Sequence, residues 1–131
     1  MSDTAEKQKP TLNSATSILF HVAAHSHTLC SIMSIEQAGD DIIKILPVVR
    51  PWLSAHPLRP NEYSFNADAF HKITRACSDG EFHMAVWLLN VWNPSYAKSK
   101  KWNFDLFAAL ANLDSGNRQA ICDWLKNPIW P

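Results

Sequence analysis

Glycine is scarce in this chain: 3 residues in 131. Backbone that cradles a phosphate or runs close against a dinucleotide is built from glycine-rich loops. The chain has no phosphate loop, no dinucleotide fingerprint and no nucleophile elbow, so nothing in it announces an enzyme. An excess of one charge is missing too: 12 basic residues balance 12 acidic ones. A neutral chain without a basic tail lacks the charge that neutralises phosphates, and no nucleic-acid partner is expected. The one dense basic run, Lys98, Lys100 and Lys101, reads as a solvated loop. Cysteine is sparse and unpaired in pattern. Cys30, Cys77 and Cys122 lie far apart with no Cys-x-x-Cys step, which argues against a disulfide framework and for a reducing, cytoplasmic compartment. No apolar run reaches the roughly 20 residues of a membrane span. The stretch 17–24 is short and contains His21, and the residues before it mix Asp3 and Glu6 with Lys7 and Lys9, unlike a secretory leader. Neither a membrane partner nor a cofactor is expected.

What is present is apolar and aromatic: 47% of residues are hydrophobic, enough for one real core. Residues 1–13 are polar and aperiodic and read as a flexible arm, leaving 14–131 as a single helical domain. Ile18, Val22, His25, Leu29 and Ile32 recur at helical spacing and predict a helix from Ser14 to Met33. Ser34 with Gln37 has capping-box spacing and opens a second helix near Ile35, which Pro47 ends or kinks. Residues 55–63 carry two prolines and read as a loop. Further helices are predicted over 67–77 behind Asn66, over 81–91, over 104–113 behind Asn103 and over 115–126 behind Asp114. Between them, 95–102 reads as a polar loop. No alternating strand and no Asn-Gly hairpin turn is evident. The expected fold is therefore all-α, with five to seven helices packed as an orthogonal bundle or a stack of helical hairpins.

Sliding the chain along itself by about 37 residues aligns Phe70 with Phe107, Ser78 with Ser115, Trp87 with Trp124, Leu88 with Leu125 and Asn90 with Asn127. Trp52-Leu53 looks like a third, looser copy. A helix pair cannot bury both of its apolar faces alone, so pairs of this kind stack. The three Trp-Leu pairs are read as core.

Few residues group in a way that could carry chemistry. His21 and His25 lie one helical turn apart with Cys30 nearby, a spacing able to chelate zinc, but His-Val-Ala-Ala-His lacks the glutamate of the metalloprotease motif. His25 falls on the apolar stripe and reads as a packed histidine, with His21 and His27 at the surface. Asp68 and His71 form an acidic-x-x-His step without the second copy a di-iron bundle needs. Glu36, Asp40 and Asp41 read as a solvated acidic face. The residues that stand out are aromatic. There are 6 tryptophans, and Trp92, Tyr96, Trp102 and Trp130 fall in or beside predicted loops and the C-terminus. Tryptophan and tyrosine are favoured anchors of protein interfaces. A groove between 91–102 and 129–131 is the expected binding surface.

The last third, with Phe104-Asp105, Ala109-Leu110, Asp114, Arg118, Ala120, Trp124 and the closing Pro128-Ile129-Trp130-Pro131, resembles the C-terminus of small uncharacterised bacterial proteins that end in a similar tryptophan-proline tail. The resemblance implies no activity. Small neutral proteins of this kind often travel on mobile DNA, in integron cassettes or phages. The expectation is a non-enzymatic interaction module that binds a protein partner or a second copy of itself. A metal protein built on His21 and His25 or on Asp68 and His71, and a small-molecule pocket between helices, are the alternatives.

Overall fold

A computed structural model describes residues 11–35 and 50–131. Among them are β1 (Thr11–Leu12), α1 (Ser14–Ala23), α2 (His27–Met33), β2 (Leu53–Ala55), β3 (Glu62–Phe65), α3 (Ala67–Ile73), α4 (Asp79–Trp92), α5 (Pro94–Ser99), α6 (Leu106–Asn112) and α7 (Ser115–Lys126). A single 3₁₀ turn, Thr74–Ala76, extends α3. The 7 α-helices and this turn make the described residues 62% helical. No described helix is long and apolar enough to cross a membrane.

Every one of these helices opens on a short polar side chain that accepts a backbone N–H of the first turn. The caps are Asn13, Ser26, Asn66, Ser78, Asn93, Asp105 and Asp114. Ser78 and Glu81 complete a reciprocal capping box at the start of α4. Asn93 ends α4 and caps α5, whose first residue is Pro94, a position where the missing N–H costs nothing. That is why 95–102, expected as a loop, begins with a helix. Asp105 rather than Asn103 caps α6, so that helix starts two residues later than predicted.

The fold is helical but not all-α. A three-stranded sheet runs in the order β1-β3-β2, with β1 parallel and β2 antiparallel to β3. Its strands are 2, 3 and 4 residues long, too short for alternation to register as a pattern. The expected loop 55–63 is the hairpin joining β2 to β3. His56 replaces the Asn-Gly signal: its Nδ1 accepts from the backbone N–H groups of Leu58 and Arg59, at 3.0 and 3.2 Å. The expected arm 1–13 loses its end to this sheet, because Thr11 N and Asn13 N donate to the carbonyls of Asn61 and Tyr63. The predicted helix from 14 to 33 is two helices, because Ser26 leaves the helical path and caps α2. The second predicted helix, Pro47 and the acidic group Glu36, Asp40 and Asp41 lie outside the described residues.

The core has two centres. Trp52 is ringed by Phe20, Phe65 and Phe70 at 5.4, 6.2 and 6.2 Å, tying α1, β3 and α3 together. Helix α4 is the hub, buried without a break from Met84 to Leu89 and packed against α1, α2, α3, α5 and α6. A helix buried on nearly all sides shows little amphipathic pattern. Of the three Trp-Leu pairs read as core, the first two are buried. The third is not: Trp124 is half-buried and Leu125 is 60% exposed.

Truncating the hub of the aromatic cluster tests this account. Trp52→Ala should cost about 3–5 kcal/mol of stability, and Leu58→Ala, at the solvated hairpin tip, less than about 0.5 kcal/mol. Urea unfolding followed by circular dichroism reads both, and equal costs would refute the assignment.

Candidate functional site

Three indoles stand in a row where α4, α7 and the C-terminal tail meet. Helix α4 supplies Trp87 and α7 supplies Trp124; their rings meet edge to face at 5.8 Å and 89°. After α7 the chain turns back at Asn127-Pro128, and Trp124 Nε1 donates to the carbonyl of Ile129 at 3.0 Å. That bond pins the tail so that Trp130 meets Trp124 at 4.9 Å and 81°. These separations and angles are the favoured T-shaped geometry for aromatic pairs.

The indoles wall an open groove of about 510 Å³ with Val91, Pro94 and Phe104. Its polar lining is Asn90, Asn103 and Lys98, the only charged group of the set. Asn90 is fixed, since its Nδ2 donates to the carbonyls of Val86 and Trp102, both at 2.9 Å. The indole N–H groups of Trp87 and Trp130 have no hydrogen-bond partner among the described residues. The groove therefore offers apolar indole surface, most of it from the exposed Trp130 and half-buried Trp124, and one cation, in a volume within the range of ligand sites.

This groove lies between 91–102 and the terminal tail, yet its lining differs from the residues singled out by sequence. Of Trp92, Tyr96, Trp102 and Trp130, only Trp130 lines it. Trp92 packs on Phe65 at 5.1 Å, beside the sheet. Trp102 is buried, stacked on His71 at 4.5 Å and met by the edge of Tyr96 at 5.7 Å. Sequence reasoning set Trp87 and Trp124 aside as core; Trp87 is buried and meets the groove from the core, whereas Trp124 is half-buried. Their recurrence hid the difference that only the second has an exposed leucine next to it.

Tyr96 and Trp102 instead join Asp68 and His71 in a second cluster between α3 and α5. The Tyr96 hydroxyl donates to Asp68 Oδ2 at 2.6 Å, and Lys100 Nζ lies 3.5 Å from Oδ1. The hydroxyl, with Lys100 behind it, holds the Asp68 carboxyl below its ordinary range, and the same bond raises the Tyr96 phenol. Burial, aided by the Arg75 charge, lowers the His71 imidazole. A carboxylate already satisfied by a phenol and an ammonium, beside an imidazole lying flat on an indole, is a surface tie between two helices.

The other histidines do not converge on Cys30. His21 and His25 line a separate groove of about 220 Å³ with Asp123 and Trp124. Cys30 is buried, its thiol turned to the carbonyls of Ala23 and Ala24 and pushed up in pKa by burial. His25 is exposed rather than packed, because the break at Ser26 takes it out of phase with the stripe of Val22 and Leu29. His27 sits 3.2 Å from Asp114 at the start of α7. Among the described residues no group of three or more His, Cys, Asp or Glu side chains is placed to hold a metal ion.

Comparison with protein-family models, curated proteins and solved structures gives no match to this chain. The functional reading rests on the chain's own geometry.

His71 gives a pH test of the second cluster. Its folded pKa lies below the unfolded value of about 6.5. As pH falls through that value the unfolded state takes up the proton first, so stability drops between neutral pH and the lower folded pKa. Melting temperatures measured from pH 7.5 to pH 5 should fall, and less steeply in His71→Phe, which keeps the ring stack without the titration. Identical slopes would refute it.

Proposed function

We propose that the protein is a non-enzymatic interaction module whose indole-lined groove takes an extended, proline-rich segment of a protein partner. The observation that carries this reading is the row Trp87, Trp124 and Trp130, with two indole N–H groups unpaired among the described residues. Proline rings pack on indole faces. A polyproline II segment makes no internal hydrogen bonds, so its carbonyls are free to accept from indole N–H groups. Such a segment is already extended before it binds, so little chain entropy is lost. An open groove bordered by a single cation suits a length of uncharged chain better than a small, highly charged metabolite. The three cysteines are unpaired, in keeping with action in a reducing cytoplasm.

Titrating a short polyproline peptide into the full chain, followed by the indole N–H resonances, tests the proposal. The signals of Trp87 and Trp130 should move, and an alanine-rich peptide of equal length should leave them in place. Trp130→Ala should weaken binding at least about 30-fold. Its melting temperature should change little, since Trp130 is 54% exposed. Polyproline that moves no indole signal would overturn the proposal.

A further inference from the structure

The opposite flank of α7 carries a second surface. Eight large apolar side chains are exposed among the described residues, and four of them, Leu106, Phe107, Leu110 and Leu125, belong to α6 and α7. Leu106 and Leu110, one turn apart on α6, line a groove of about 430 Å³ with Cys122 and Leu125 of α7. Beside it stands Phe107, which is 82% exposed. In the pair α3–α4, the residues about 37 positions earlier, Phe70 and Leu88, are both fully buried. Helix pair α6–α7 thus carries core-type side chains at positions that no described residue covers. These side chains stand among exposed polar ones, Gln119, Asp123 and Lys126 included, as an apolar patch with a polar border.

We propose that a second copy of this chain covers the α6–α7 face, through a twofold interface in which each Phe107 enters the partner's groove. Three observations favour a second copy over an unrelated protein. The patch holds both a projecting ring and an apolar recess, so a twofold operation pairs each with its complement. The area is sufficient. Leu106, Phe107, Leu110 and Leu125, each about half exposed or more, leave on the order of 500 Å² of largely apolar surface in water, at about 200 Å² for a fully exposed large residue. Interfaces are a little over half apolar, so this implies a patch near the ~800 Å² that each partner of a standard interface contributes. Charge raises no barrier. The chain is neutral, and the one charged residue lining the recess, Arg118, already donates to the Leu113 carbonyl at 2.8 Å.

This inference does not rest on the peptide reading, and the two grooves share only Phe104 in their linings. Sedimentation velocity on the full chain, from about 1 to about 100 µM, should show the 14.8 kDa monomer giving way to a dimer. Phe107→Asp should weaken dimerisation at least about 30-fold. Leu110→Lys should do the same. Both should keep the wild-type circular dichroism spectrum and polyproline binding. Leu58→Asp, equally exposed but off the face, should leave the dimer intact. A wild-type monomer at every concentration would overturn the proposal, as would a dimer indifferent to both α6 substitutions.

Discussion

One buried serine sets the course of the chain and the position of its last helix. Ser26 Oγ accepts the Leu29 N–H at 3.1 Å, opening α2, and donates to Asn117 Oδ1 at 2.7 Å. Asn117 Nδ2 donates in turn to Thr28 Oγ1 at 2.7 Å. Ser26 and Asn117 are both shut off from water, and each finds its partner. Removing either would strand the other, at a cost of about 1–3 kcal/mol. The first consequence of this latch is local: the N-terminal helix must end before Ser26, which turns His25 outward. The second is distant: the start of α7 is anchored to α2 by polar bonds rather than by a broad apolar seam. Ala120 and Ile121 are buried against the body, and Leu125 at the far end of α7 is left in water.

The helices were largely legible, because their signals are local. A short polar side chain accepting from its own first turn is readable in any window of a few residues, and Asn66, Ser78, Asn93 and Asp114 each stand where a helix begins or ends. The sheet was not legible. Strands of 2 to 4 residues leave no period, and the parallel partner of Thr11–Leu12 is some 50 positions away. The break at Ser26 was hidden for a related reason: the residue that draws Ser26 out of the helix is Asn117, 91 positions on.

The candidate site shows the same division. Aromatic density could be read from composition, and a surface between 91–102 and 129–131 from where those aromatics fall. Which indoles stay accessible could not. Trp87 and Trp124 occupy matching positions in a sequence pattern, yet one is sealed at Leu88 and the other opens onto Leu125. Sequence similarity between two segments reports which side chains they carry, and burial depends on what packs against them. Trp102 is buried away from the groove by the same logic. The stack with His71 and the hydrogen bond from Asn90 to its carbonyl draw a tryptophan beside a polar loop into the core.

Helix α7 thus connects the two surfaces. One flank contributes Trp124 to the indole groove, the other contributes Cys122 and Leu125 to the recess facing Phe107, and Phe104 lines both. The anchor at Asn117 stands at the N-terminal end of α7, and Trp124, Leu125 and the tail lie at its far end, where the exposed apolar residues gather. The far end is held by aromatic packing instead, Trp124 standing between Trp87 and Trp130. That division lets the chain keep a stable body and still expose aromatic side chains at its end.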